Sequence, residues 1–277
     1  MKTCGPYQIS TFNFGMFRLD GGAMFGSVPK NLWSKSIPAD QDNCISLATR
    51  CLVLRGNGKV AIIDVGMGEK WSEKQRSIYG VANTEETSWP ITREEVTDVI
   101  LTHLHFDHAG GITRYLEDST LVPSFPNAQI HLQKSHWEYA HNPSLKDKAS
   151  YISENIAPLS SLPLLLHDGP TEILPSVWAH PVHGHTKGQQ WIEVRGNERS
   201  ILVTTDVVPT SHHIPLPYHM GYDLCAETIL REKEAFLEFA LRGNHILFFE
   251  HDPEIEAVTV TKNDKGQFTV SEKIVLG

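Results

Sequence analysis

The ten residues Thr102-His103-Leu104-His105-Phe106-Asp107-His108-Ala109-Gly110-Gly111 hold three histidines and an aspartate within a span of six. They follow Val99-Ile100-Leu101, an apolar run that reads as a buried strand. In a loop leaving a strand, this spacing lets His103 and His105 point at one centre while Asp107 and His108 turn toward a neighbouring one. Imidazole nitrogen mixed with carboxylate oxygen is the donor set of a borderline divalent cation. The two glycines permit a tight turn and a close backbone approach. A lone histidine is commonly a satisfied core residue. Four donors at H-x-H-x-D-H spacing behind an apolar strand call for a metal.

The rest of the composition bounds the partners. The chain has 277 residues, 15 of them histidine and only 4 cysteine. That length buries roughly 70–75% of the unfolded surface, enough for one large core or two modest ones. With 24 Lys and Arg against 33 Asp and Glu, the net charge is −9 and the sequence pI is near 5.9. An acidic balance argues against a nucleic-acid partner, which needs a basic face. No stretch approaches the roughly 18 apolar residues of a membrane span, so no membrane partner is expected. The start, Met1-Lys2-Thr3-Cys4, shows no signal-like apolar run, and Cys4, Cys44, Cys51 and Cys225 form no C-x-x-C pair. Buried or inert thiols in a reduced, cytoplasmic setting are the expectation. No linker or low-complexity segment interrupts the chain, which predicts one domain over 1–277.

Local patterns give the elements. Cys51–Arg55 and Val60–Asp64 flank Asn57-Gly58, a hairpin signal. Thr92 with Glu95 matches a capping box and predicts a short helix there. Another helix is expected from Gln133 to His141. A second hairpin joins Gln190–Val194 to Ser200–Thr204. The clearest helix runs from about Leu224 to Arg242, with Asp223 as its cap and Gly243 as its end. Arg231, Glu234, Glu238 and Arg242 mark its solvated face. Ile246–Phe249 reads as a buried strand, and a strand pair surrounds Asn263–Gly266. Strands with interspersed helices, then the same again, predict an α/β sandwich of two similar halves.

The motif H-x-H-x-D-H resembles the signature of the metallo-β-lactamase-fold hydrolase superfamily, and the family's later elements are found in order. Its G-H-T-x-G element matches Gly184-His185-Thr186-Lys187-Gly188, with His183 as a competing histidine just upstream. Its bridging aspartate matches Asp206 and its last histidine His251. The resemblance implies an αββα sandwich of two mixed sheets flanked by helices, with the site at one edge. It implies two divalent ions, best suited to zinc, with manganese, iron or cobalt also accommodated. His103, His105 and His185 would hold one metal, Asp107, His108 and His251 the other, and Asp206 would bridge. Asp64, in a D-x-G element at Ile63–Gly68, would orient a ligand histidine from behind.

The resemblance implies that a hydroxide shared by two such ions would attack an ester-type bond, with Asp107 as the candidate to carry its proton. The form H-x-H-F-D-H-x-G-G most resembles the N-acyl homoserine lactonase group and its methyl parathion hydrolase-like relatives, and points to a lactonase. The leading segment Leu19–Lys30 is also similar, which would put Met24 and Phe25 at the rim of the site, and Phe106 inside the motif is a further candidate substrate contact. No tyrosine closely follows Asp206, in contrast to the best-known quorum-quenching lactonases. That leaves aryl esters and phosphotriesters open, with His213, Tyr218 or Tyr222 as substitute donors. A glyoxalase II-type thioesterase is disfavoured, because the 26 residues after His251 read as strands rather than a basic helical region. A catalytically inactive metal-binding protein is the reading from another class. Resemblance to the group also raises a homodimer, with Phe12, Phe14, Phe17 and Trp33 as either its face or core.

Overall fold

The computed structural model describes residues 2–277. Thirteen main strands are numbered here in chain order. The first sheet contains β1 (Tyr7–Asp20), β2 (Cys44–Gly56), β3 (Lys59–Ile63), β4 (Asp98–Ile100), β5 (Gln129–Gln133) and β6 (Leu164–His167). They lie side by side in that order, with Lys2–Cys4 on the outer edge of β1 and Ala82–Asn83 also paired to it. The β1–β2–β3 portion is antiparallel, and β3 through β6 run parallel. The second sheet, also in sequence order, holds β7 (Thr171–Leu174), β8 (Val177–Val182), β9 (Gln189–Val194), β10 (Ile201–Val203), β11 (Ile246–Phe248), β12 (Ala257–Lys262) and β13 (Phe268–Ile274). All of its pairs are antiparallel except β10 with β11. Both sheets are therefore mixed.

The two sheets face each other across a shared core. Leu52, Leu54, Ile63 and Ile100 from the first meet Ile192, Val203 and Phe248 from the second, all fully buried. Truncating one such side chain to alanine costs roughly 2–5 kcal/mol. The outer face of the first sheet packs Val53, Val99 and Leu132 under short helices and loops. The outer face of the second packs Leu202, Leu247 and Val258 under the helix Ala226–Arg242, which contributes Ile229, Phe236 and Leu237. The layers are helix, sheet, sheet, helix, as the family resemblance implied. No helix among the described residues is long and apolar enough to cross a membrane.

Several local expectations hold and others need correction. Gly56 pairs with Lys59 across Asn57-Gly58, both at positive φ, as an Asn-Gly hairpin requires. The helix after Gln133 runs Lys134–Ala140. Residues 92–95 form only a turn: Glu95 accepts from the Thr92 amide, but this contact closes without continuing into a helix. Asp223 does not cap the long helix, whose N-cap Cys225 has no side-chain bond; its carboxylate is directed to His185 instead. Phe14, Phe17 and Trp33 are buried within the chain, so they are core rather than a pairing face. All four cysteines are free, and Cys225 is exposed rather than buried.

Candidate metal centre

The site stands at the carboxyl ends of strands. Asp64 follows β3, His103 follows β4 and leads into the short helix Phe106–Ala109 that carries Asp107 and His108, His185 follows β8, Asp206 follows β10 and His251 follows β11. Because β3 and β4 are parallel, as are β10 and β11, their ends emerge on common edges. The result is three groups of convergent donors. One is His103, His105, His185 and Asp206; a second is Asp107, His108 and His251; the third, Asp64, His108 and Glu250, lies on the Nδ1 side of His108. Asp206 lies between the first two groups, with Oδ2 3.0 Å from His185 Nε2 and Oδ1 3.3 Å from His251 Nε2. His183 is exposed and accepts from the Gly188 amide, so His185 is the histidine delivered to the cluster.

The outward nitrogens identify which lone pairs face inward. His103 Nδ1 bonds Thr102 Oγ1 at 3.0 Å, His108 Nδ1 bonds Asp64 at 2.7 Å, and His185 Nδ1 bonds Asp223 at 2.9 Å. His251 Nδ1 donates to the Ala48 carbonyl at 2.8 Å. With those hydrogens spent, each Nε2 presents a lone pair to the interior. His251 Nε2 faces His108 Nε2 at 2.9 Å, and His185 Nε2 faces His105 Nδ1 at 3.1 Å. His103 Nε2, His105 Nε2 and Asp206 Oδ1 are buried with no hydrogen-bond partner. Facing lone pairs beside an unsatisfied carboxylate oxygen are costly unless a cation sits among them. The residues fit divalent metal.

Electrostatics agree with that fit. Burial, reinforced by neighbouring imidazoles, holds His103 and His105 well below the usual histidine range, so both are neutral donors. Burial acts on His108 and His185 too, but the adjacent carboxylates outweigh it and hold both well above that range. Protons and a cation therefore compete for the same nitrogens. Burial alone would raise the Asp206 carboxyl; the charges of His185 and His108 overcome it and keep the group well below its ordinary value.

Asp64 is placed behind the cluster as expected. It accepts from the Thr102 amide and hydroxyl and from His108, in a left-handed backbone conformation at φ 56°. Two supports escaped the sequence reading. Asp223 fastens His185, and its other oxygen accepts from the Met220 amide. His136, which no motif marks, accepts from the Leu104 amide and donates to the Lys187 carbonyl, tying together both histidine loops. Burial lowers its pKa to about 4, which keeps it neutral and able to do both.

The cluster forms the floor of an open cleft with a volume of about 180 Å³. Its walls include Leu19, Met24, Leu47, Tyr79, Phe106 and Met220, with Tyr222 at the rim. Met24, Phe106 and Tyr222, offered by the sequence as substrate contacts, line this cleft with Asp107. Phe25, His213 and Tyr218 do not. Phe25 is fully buried, stacked between Trp33 and His213. His213 uses both nitrogens, on Thr210 and the Met24 carbonyl, so it braces the wall and has no hydrogen free for a substrate. Tyr218 packs on Phe25 away from the cleft lining. Sequence reading also missed Tyr79 and Lys146–Ser150, which no motif marks.

The sequence pattern of the metallo-beta-lactamase superfamily matches residues 46–251. The chain belongs to that superfamily. It is a metal-dependent hydrolase with lactonase relatives. An N-acyl homoserine lactonase of Bacillus cereus is 25% identical over 77% of this chain and 85% of its own length. A second, from a Bacillus species, is 29% identical over 59% of this chain, and the match spans 58% of that protein. Among solved structures, a probable metal-dependent hydrolase from Staphylococcus aureus is 28% identical, with a TM-score of 0.87 over 99% of this chain and all of that one. AidC, a dizinc quorum-quenching lactonase, shares the fold at 17% identity and a TM-score of 0.78, covering 99% of this chain and 97% of its own.

Proposed function

We propose that this superfamily member is a lactonase with a binuclear centre. His103, His105 and His185 would hold one divalent cation, Asp107, His108 and His251 a second, and Asp206 would bridge them. Zinc suits the donors best. The observation that carries the reading is the meeting of two donor groups at Asp206 on the floor of an apolar cleft. When bound, such ions lower the pKa of a shared water toward neutrality and polarise the ester carbonyl.

The chain's own residues supply the remaining tasks. Asp107 lines the cleft and is the most exposed donor of the set, so it can take a proton from the attacking water and return it to the ring oxygen. Tyr222 replaces the missing tyrosine after Asp206 as hydrogen-bond donor to the substrate. Burial pushes its phenol up to about 12, so it keeps its proton at neutral pH. Met24, Leu47 and Met220 offer apolar contact to the group attached to the lactone. The lactonase relatives support this class of substrate, whereas the aromatic wall of Tyr79, Phe106 and Tyr222 favours aryl esters or aryl phosphotriesters as the second reading.

Metal content should be measured together with turnover on a lactone, an aryl ester and an aryl phosphotriester. The expected result is about two metals per chain and the highest kcat/KM on the lactone. Two metals with no turnover on any of the three would overturn hydrolysis at this site, and a faster phosphotriester would select the second reading.

A further inference from the structure

A second, smaller cleft opens on the outside of the first sheet. It shares no lining residue with the larger cleft and is small, with about 30 Å³ open to the centre of a water-sized molecule. Its floor includes Gly68 and Gly111, the glycines that close the loops after Asp64 and His108. Its polar lining is dominated by donors. Trp89 Nε1, Arg114 Nε and Ser124 Oγ are each buried with no hydrogen-bond partner, and all three residues line this one cleft. Ser124 as a whole is 1% exposed.

We propose that this cleft binds a small oxyanion of the phosphate or carboxylate class. An indole N–H and a guanidinium N–H can only donate, and a hydroxyl can do so. Buried donors left unmade are costly, and three in one cleft are relieved together by a ligand that only accepts. Charge points the same way. Arg114 makes no ion pair among the described residues, so its charge is available. Arg93 also lines the cleft; it is paired with Glu86 at 2.8 Å, and its guanidinium lies 4.8 Å above the Trp89 ring. That stacking fixes the plane of the indole. Glu69 is the one carboxylate in the lining, 4.0 Å from Arg93 and 57% exposed, where water screens it. A bidentate contact from Arg114, with Trp89 and Ser124 completing the shell, suits an oxyanion.

The test follows the Trp89 indole N–H resonance in ¹⁵N-labelled, metal-loaded protein, assigned with Trp89→Phe. Inorganic phosphate and acetate are titrated separately at constant ionic strength, with chloride as the reference. The expected result is a saturable shift with half-saturation at about 1 mM or below. Arg114→Met should weaken it about 10-fold or more, and Ser124→Ala by less. Both variants should keep the turnover of the parent, which shows that they remain folded. A response to phosphate alone assigns a tetrahedral anion, and one to acetate assigns a carboxylate. The proposal fails if no saturable shift occurs, if chloride gives the same shift, or if both variants respond like the parent.

Discussion

The histidine wall and the apolar wall of the same cleft are built in different ways. The donors on the histidine wall follow strand ends, and four of them, His103, His108, His185 and His251, are held from behind by Thr102, Asp64, Asp223 and the Ala48 carbonyl. The apolar wall is made of segments distant in sequence: Leu19–Met24, Tyr79, Lys146–Ser150 and Met220–Tyr222. Loop-to-loop contacts fasten it. Lys146 Nζ donates to the Gly221 and Asp223 carbonyls, the Gly221 amide to Ala23, and buried Lys233 to the carbonyls of Pro215 and Tyr218. Chemistry that needs sub-ångström placement rests on the sheets, and substrate choice rests on loops. Changes to the first wall should therefore remove activity, and changes to the second should redistribute it.

The largest effect should come from the residue common to both donor groups. Asp206→Asn removes the negative charge between His185 and His251, and kcat/KM should fall by about 10³-fold or more on every substrate. Bound metal, measured by elemental analysis, should fall with it. A variant that kept both metals and full turnover would break the assignment of Asp206 as the bridge. Asp64→Asn lies one step back. It keeps the shape but loses charge beside Thr102 and His108, and metal affinity or activity should drop about 10–100-fold. A chelator titration reads this directly, and an unchanged metal affinity would reduce Asp64 to a backbone support.

The two walls also differ in how far the sequence revealed them. H-x-H-x-D-H is contiguous because one loop leaving β4 delivers all four donors, so the motif survives as a readable string. His185, Asp206 and His251 were legible through family resemblance, each near a glycine or a strand end. Tyr79, Lys146 and Asp147 carry no such mark. They reach the cleft through tertiary packing, which no spacing rule encodes. The same cause explains the misplaced aromatics. The rings offered as substitute donors divide between core and cleft: His213 and Tyr218 pack into the wall, and only Tyr222 reaches the cleft. Asp223 looked like a helix cap because Asp before a helix usually is one. A nearby buried imidazole claimed it.

On the apolar wall, Tyr222→Phe sharpens the contrast. Loss of one donor to the substrate should lower kcat about 10-fold while KM changes less than about threefold. Met24→Ala, by contrast, should raise KM for a substrate with a long acyl chain and leave a short one nearly unchanged. If Tyr222→Phe altered only KM, the phenol would be a packing surface. The donor would then have to be sought elsewhere on the cleft.

The smallest effect belongs to a carboxylate that serves neither wall. Asp98, at the start of β4, is buried and bonds His131 at 3.0 Å, Lys59 at 3.0 Å and the Thr97 hydroxyl at 2.6 Å. Burial would raise its pKa, but these partners outweigh it and hold the group near about 2. A carboxyl depressed in the folded state stabilises the fold above its unfolded pKa of about 3.9 and loses that contribution as pH falls through the folded value. The relevant window is therefore about pH 4 down to pH 2. Partial solvent screening through half-exposed Lys59 limits the contribution to on the order of 1 kcal/mol. Asp98→Asn should lower urea-unfolding stability at pH 7 by that amount, and the gap from the parent should close as pH approaches 2. Because β4 ends in the histidine loop, the measurement also asks whether the strand's far end transmits to the site. Unchanged kcat at pH 7 alongside the lost stability would show that the donors are held locally, by Thr102 and Asp64, rather than by the strand as a whole.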